Sequence, residues 1–377
     1  MPSLADLIAA LDGWFPPATA ESWDAVGLTC GDPAATVHRV LLAVDCVPDT
    51  VAEAVADGAG LLLTHHPLLL SGVHSVAADT GKGALVHRLV TAGVAHFAAH
   101  TNADVAVGGV SDALAARLAL RACRPLLPDP APPVDQLSVY VPVPDTERLI
   151  AALAAAGAGA VGNYTDCAYL MTGTGQFRPG PGANPAEGTL GELHSGPENR
   201  VSMVLPRSRR SEVLAAMRAA HPYEEVAFEL TEQPTLPGNT GTGRIGELVE
   251  PMPLAEFVPY VAQRLPRTRW GVRAAGRPDQ LVRTVAVCGG SGGSYAEQAR
   301  RAGADAYLTA DLKHHTTSEA VAETVGLDRE LALVDAAHWA TEAPWLHVLA
   351  ARLRAEFGGL QVLVSEQVTD PWTLHAH

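Results

Sequence analysis

Basic residues are scarce in this chain of 377 residues: 26 Lys and Arg stand against 41 Asp and Glu, a formal net charge of -15. Such a balance repels a phosphate backbone unless a local basic patch overrides it. The densest basic run, RSRR ending at Arg210, is short and reads as a solvated turn. Direct nucleic-acid binding is therefore not expected. Cysteine is sparse too. Cys30, Cys46, Cys123, Cys167 and Cys288 are odd in number, widely spaced and form no CxxC pair. That pattern argues against a disulfide frame and fits a reducing compartment. No apolar run reaches the roughly 18 residues that a bilayer span needs. The N-terminal MPSLADLIAALDGWF lacks a basic n-region, so it reads as an amphipathic first helix rather than a signal peptide. These absences predict a cytoplasmic protein without membrane contact. Its length and 47% hydrophobic content suffice for two cored domains.

The positive signals begin with a repeat. HRVLLAVDC reads as a strand, DTVAEAVADG as a helix stopped by Gly58, and LLLT as a short buried strand. The same order returns in VRTVAVCGGSGGSYAEQARRAGADAYLTAD. Without a gap, Arg39 to His66 falls on Thr284 to Asp311, pairing Ala54 with Ala299, Gly58 with Gly303 and Thr64 with Thr309. Farther on, GVAHFAAHTNAD matches LALVDAAHWATE, so His100-x-x-x-Asp104 corresponds to His338-x-x-x-Glu342. Two matches in the same order predict duplicated α/β halves of one main domain, facing each other. Between them, after a proline-rich stretch read as a linker (LLPDPAPP, Leu126 to Pro133), the order is β-α-β-β-α-β, the ferredoxin-like split βαβ. The expected division is residues 1–127, an inserted α+β domain at 134–243, and residues 244–377.

Chemistry concentrates at strand ends. LLLTHHPLLL puts His65 and His66 inside an apolar run. Successive side chains of a straight strand point to opposite faces, so both imidazoles reach one site only if the strand ends there, as Pro67 directs. A doublet standing alone reads more readily as a strand cap held by hydrogen bonds. The two HxxxD/E segments change that balance, because their spacing puts both side chains on one helical face. Imidazole and carboxylate together form a ligand set for zinc, iron or manganese. Asp311 and His315, in TADLKHH opposite THHP, are candidates for proton transfer or substrate contact against simple strand-end hydrogen bonding. Asp24 in WDAVG carries the same two readings. CGGSGGS, starting at Cys288, is a tight turn whose amides could hold an anion; it lacks the Lys-Ser/Thr of a P-loop.

These residues resemble the NIF-three-like family of dinuclear metal proteins, often labelled GTP cyclohydrolase I type 2 homologues, in the longer bacterial form with an inserted domain. The likeness runs through ESWDAVGL, THHPLLL, HTNADVAVGGVSD, GAGAVGNYTDC, GQFRPGPGANP, HPYEEVAFE, GTGRIG and AHWATE. It departs at Ala310, where the family carries glycine before the aspartate. The resemblance implies two divalent metal ions. His65 and His66 would each hold one, Asp104 would join the second, His338 the first, and Glu342 would bridge both. His100 lies outside that ligand set, and its ring N–H could orient Asp104 or a water; with Asp311 and His315 it completes the catalytic candidates. The resemblance also implies a hexamer. The leading functional expectation is a metal-dependent hydrolase acting on a nucleotide or other phosphoester. Two alternatives stand beside it: a protein that stores, delivers or senses metal, and a partner-binding regulator.

Overall fold

The computed structural model describes residues 1–323 and 330–376. The chain forms two compact units, one of residues 1–129 and 239–377, the other of residues 130–238.

In the first unit the leading half runs α1 (Leu4–Trp14), β1 (Gly27–Cys30), β2 (Arg39–Ala43), α2 (Pro48–Ala56), β3 (Leu61–Thr64), α3 (Gly81–Ala92), β4 (Ala95–Ala98), α4 (Thr101–Val105) and α5 (Val110–Arg117). α1 starts where sequence chemistry dictates. The Ser3 hydroxyl accepts from the Asp6 amide at 3.1 Å, and the Asp6 carboxylate accepts from the Ser3 amide at 2.8 Å, a reciprocal cap. Leu4, Leu7 and Leu11 then fall on one buried face.

β5 (Arg121–Pro130) follows, and here the structure corrects the linker expected at Leu126–Pro133. The first residues of that stretch belong to a strand on the edge of a sheet. Proline lacks only a donor, and an edge strand leaves alternate donors unused, so Pro128 and Pro130 are tolerated there.

The second unit contains β6 (Val134–Pro142), α6 (Thr146–Ala155), β7 (Tyr169–Phe177), β8 (His194–Pro206), α7 (Arg210–Ala220) and β9 (Phe228–Glu232). Its sheet order is β7-β8-β6-β9, every pair antiparallel. Leu149 and Leu153 of α6 and Val213 and Met217 of α7 pack on Leu137, Val139, Val201 and Met203 of the sheet. β10 (Pro237–Pro253) carries the chain out, and the division at 238/239 lies a few residues before the expected 243.

The trailing half repeats the leading one: α8 (Leu254–Arg264), β11 (Val272–Ala275), β12 (Leu281–Val287), α9 (Ala296–Arg301), β13 (Ala306–Ala310), α10 (His314–Ala322), β14 (Ala332–Ala336), α11 (His338–Glu356) and β15 (Gln361–Val364). In both halves three strands run parallel, β2-β3-β4 and β12-β13-β14, and an antiparallel strand closes the far edge, β1 or β11. Gly27 opposes Ala98 as Val272 opposes Ala336, so the pairing register repeats as well.

The apolar strands carry side chains to two different cores, as alternation requires. Val40, Leu42, Leu61 and Leu63 join α1, α5, α8 and α11 in a central layer shared with Val285, Val287, Leu308 and Val334. Leu41 and Leu62 face the opposite way, onto Val51 and Ala54 of α2 and Val86 and Leu89 of α3. Ala286, Tyr307 and Leu333 do the same in the trailing sheet, toward α9. The order is helix, sheet, helix, sheet, helix, with the strand ends of both halves meeting at α11. One link binds the halves away from those ends. Arg244 of β10, 2% exposed, reaches Asp112 of α5 through two nitrogens at 2.5 and 3.0 Å, and also donates to the carbonyls of Ala106, Gly241 and Gly243. Every face of that guanidinium is used.

Among the described residues, no helix is long and apolar enough to cross a membrane.

Candidate metal centre

β3 delivers the histidine doublet. Its pairing with β2 persists two residues beyond the strand, His65 N–H donating to Ala43 and His66 N–H to Val44. The side chains nevertheless do not diverge. The Thr64 hydroxyl donates to the His66 carbonyl at 2.7 Å, closing a bend over both histidines, and their ring centroids lie 4.9 Å apart. A local side chain to backbone bond has replaced the extended geometry.

From the trailing half, α11 opens directly after β14 with His338, and Glu342 follows one turn later on the same face. His338 Nε2 and Glu342 Oε1 are 2.9 Å apart. Glu342 is also the common neighbour of the doublet: Oε2 lies 3.2 Å from His66 Nε2, and Oε1 3.5 Å from His65 Nε2. Asp104, from α4, places Oδ1 at 3.7 Å from His65 Nε2. The five residues come together from sequence positions 65 to 342.

Each imidazole is held from behind. His65 Nδ1 faces the Ala99 carbonyl at 2.9 Å, His66 Nδ1 the Asp45 carboxylate at 2.7 Å, His338 Nδ1 the Asp311 carboxylate at 2.7 Å, and His100 Nδ1 the Asp24 carboxylate at 2.8 Å. Carbonyls and carboxylates only accept, so each Nδ1 carries a proton, and a ring in its neutral form would present a bare Nε2. This is the arrangement in which a second group fixes ring orientation and tautomer for a metal.

The inner atoms lack partners. His65 Nε2, Asp104 Oδ1 and Glu342 Oε2 are buried with no hydrogen bond, a state that costs free energy unless something fills it. Two sets of ligand atoms lie within 4.8 Å of one another: His66, His338 and Glu342, and His65, His66 and His100. The donor chemistry and the orphaned atoms fit a divalent cation.

Charge follows the same geometry. Burial works against the Glu342 carboxylate, but the imidazoles of His66, His338 and His65 outweigh it and hold it well below the usual range. Burial pushes the Asp104 carboxyl up to about 6 against the pull of His65. His338 is opposed by burial yet raised to about 9, chiefly by Glu342. His100 goes the other way. Burial and the neighbouring His65 lower it to about 4 despite Asp24, so it stays neutral.

The remaining expected residues have separate placements. Asp311 lies at the end of β13 with a φ of 56° and is engaged with His338, as a positioning residue. His315 sits exposed on α10 against His314, outside the residues that line the site cavity. Asp24 binds His100 and also accepts from the Thr101 amide and hydroxyl. The CGGSGGS turn touches the cluster itself: a Cβ on Gly290 would lie 2.5 Å from Glu342 Oε1 and 3.1 Å from His338 Nε2. Sequence reasoning missed Asp45, the partner of His66, because a single aspartate after a strand carries no spacing signal. It also missed the C-terminal segment, where the Thr369 hydroxyl donates to the other Asp45 oxygen. The cavity has a volume of about 1080 Å³, with His66, His100, Asp104, His338 and Glu342 in its wall.

Comparison with known proteins agrees over the whole length. The family model described as Duf34/NIF3 (NGG1p interacting factor 3) matches residues 2–371. A relative from Mycobacterium tuberculosis, named GTP cyclohydrolase 1 type 2 homolog, is 49% identical over 373 residues, covering 98% of this chain and 97% of that one. A Bacillus subtilis relative of the same name is 36% identical, covering 97% of each. Among solved structures, a Bacillus cereus protein related to NIF3 is 34% identical with a TM-score of 0.76. Staphylococcus aureus SA1388 is 27% identical with a TM-score of 0.83. Each comparison covers 99% of both chains.

Proposed function

The chain belongs to the Duf34/NIF3 family, and on that premise we propose that it is a dinuclear metal-dependent hydrolase acting on a nucleotide or phosphorylated small molecule. The observation that carries this reading is the convergence of unpartnered His65 Nε2, Asp104 Oδ1 and Glu342 Oε2 on rings whose outer nitrogens are all occupied. His66, His338 and Glu342 would hold one cation. His65, Asp104 and Glu342 would hold the other, Glu342 being shared between them. Zinc, iron and manganese all accept this ligand set. Such ions supply Lewis acidity and lower the pKa of water.

The protein's own groups supply the rest. Asp45 and Asp311 hold His66 and His338 in one tautomer and orientation. His100, neutral, with its Nδ1 proton committed to Asp24, lines the cavity beside the cluster, where its other ring nitrogen would accept a hydrogen bond from a water and orient it. The relatives' name connects them with GTP, and a nucleotide or other phosphoester is the substrate class proposed here.

The test combines elemental analysis of purified protein with turnover of a broad panel of nucleotides and phosphoesters in zinc, manganese or iron. Hydrolysis lost in Glu342→Gln, with the fold retained, is the expected result. Bound metal without turnover of any panel member would overturn it in favour of a metal store or carrier.

A further inference from the structure

Only 5% of the chain is aromatic, with six tryptophans. Four of these, Trp23, Trp270, Trp339 and Trp372, line the cavity into which the histidine cluster opens. Trp23 and Trp372 are each 57% exposed. Indoles carry large apolar faces and prefer stacked or edge contacts with other rings, so half-open indoles in the cavity lining present surface suited to a planar ligand.

The wall is built, not incidental. The Trp270 indole N–H donates to Asp335 Oδ2 at 3.3 Å, and the Arg273 guanidinium lies 4.5 Å from the Trp270 ring centre. Trp372 packs on Trp270 at 5.5 Å between centroids with a tilt of 35°. Trp372 rides on the C-terminal segment, pinned where the Thr369 hydroxyl donates to Asp45, the same carboxylate that holds His66. Three residues of chain reach about 11 Å at most, so the Trp372 backbone lies within that distance of Thr369. Charge on the wall is not what holds a ligand's organic end: Lys82 is the one Lys or Arg among the lining residues, beside Glu21, Asp45, Asp311 and Asp370.

We propose that this cavity holds a planar aromatic ring of the substrate against the Trp372 indole, braced from behind by Trp270, with the reacting group at the histidine cluster. The inference rests on the hydrolase reading and narrows its substrate class to phosphoesters bearing a flat ring, whether a nucleobase or another heterocycle.

Equilibrium binding to the metal-loaded protein tests it, with ribose 5-phosphate as the ring-free probe. Adenosine 5′-monophosphate, guanosine 5′-monophosphate, flavin mononucleotide and phenyl phosphate are the ring-bearing probes. At least one ring-bearing probe should bind about tenfold or more tightly than ribose 5-phosphate, the size of one stacking contact. Trp372→Ala should collapse that ratio toward one, Trp372→Phe should keep most of it, and Trp14→Phe, outside the cavity, should leave it unchanged. Circular dichroism establishes that each variant folds. The pattern of preferred rings separates a nucleobase from another heterocycle. Equal affinity for ring-bearing and ring-free probes, or a ratio that survives Trp372→Ala, overturns the proposal. Ring-dependent binding without turnover would instead remove the hydrolase reading and leave the ring subsite standing.

Discussion

His66 and His338, 272 residues apart in sequence, point their Nε2 atoms at each other across 3.3 Å. Each ring donates its Nδ1–H in a hydrogen bond to a carboxylate, Asp45 or Asp311. Neutral rings so tethered would set two lone pairs face to face, an arrangement stable only with a positive charge between them or a proton on one of them. On the proposed function, a metal cation there would tie the leading half of the main unit to the trailing half. Metal binding would then contribute to the folding free energy.

Removal of the metal should accordingly lower the melting temperature. A ligand present at about 100 times its dissociation constant stabilises by about 2.7 kcal/mol, which in a unit of this size is several degrees. Differential scanning fluorimetry with a chelator, followed by readdition of zinc, manganese or iron, measures the shift. Glu342→Gln should abolish its metal dependence, because Glu342 is the group shared by all three inward-facing imidazoles.

Gly290→Ala should disable the centre while leaving the fold in place. The position has a φ of 63°, which an L-residue rarely adopts, and the added carbon would meet Glu342 and His338. Both must shift. Metal affinity should fall by about 10- to 100-fold, the range for disturbed ligand support, as measured by competition with a chromogenic chelator. Unchanged affinity would mean that the turn has slack absent from this geometry.

Arg244→Met should destabilise the main unit by about 3 to 5 kcal/mol, because it leaves the Asp112 carboxylate facing a buried site without its counter-charge. Arg244→Lys should recover little, since one ammonium cannot reproduce contacts to Asp112, Ala106, Gly241 and Gly243. Urea denaturation reads both. The arginine of GTGRIG thus makes a structural bond between the halves, while Thr242 of the same motif lines the cavity.

Much of the main unit was legible in the sequence, and the reasons are physical. Duplicated strand, helix and strand patterns give equal register and equal strand ends, so the correspondence of His100 with His338 and Asp104 with Glu342 could be read from spacing alone. Three features could not. The Thr64 to His66 bond that turns both histidines inward depends on a rotamer. Asp45 and Asp24 acquire their roles through contacts across 21 and 76 residues. Prolines in Leu126–Pro133 imitate a linker, because composition does not distinguish an edge strand from a loop.

Acid should weaken the fold through His96, a residue outside the metal cluster. It is fully buried in β4, and its Nε2–H donates to the Thr64 hydroxyl, whose own proton goes to the His66 carbonyl. Burial lowers its pKa from 6.5 to about 4. As the pH falls below 6.5 the unfolded chain takes up this proton before the folded one. Stability is therefore complete above about pH 6.5 and declines toward pH 4, at about 1.4 kcal/mol per pH unit. Between pH 7 and pH 5 the loss from this one group is about 2 kcal/mol. His96→Gln has no such proton to bind. In chelator, chemical denaturation of the two proteins at pH 7 and pH 5 should show the wild type losing more stability by that amount. Parallel losses in both would mean that His96 is solvated or charged in the folded protein, contrary to its position beneath Thr64.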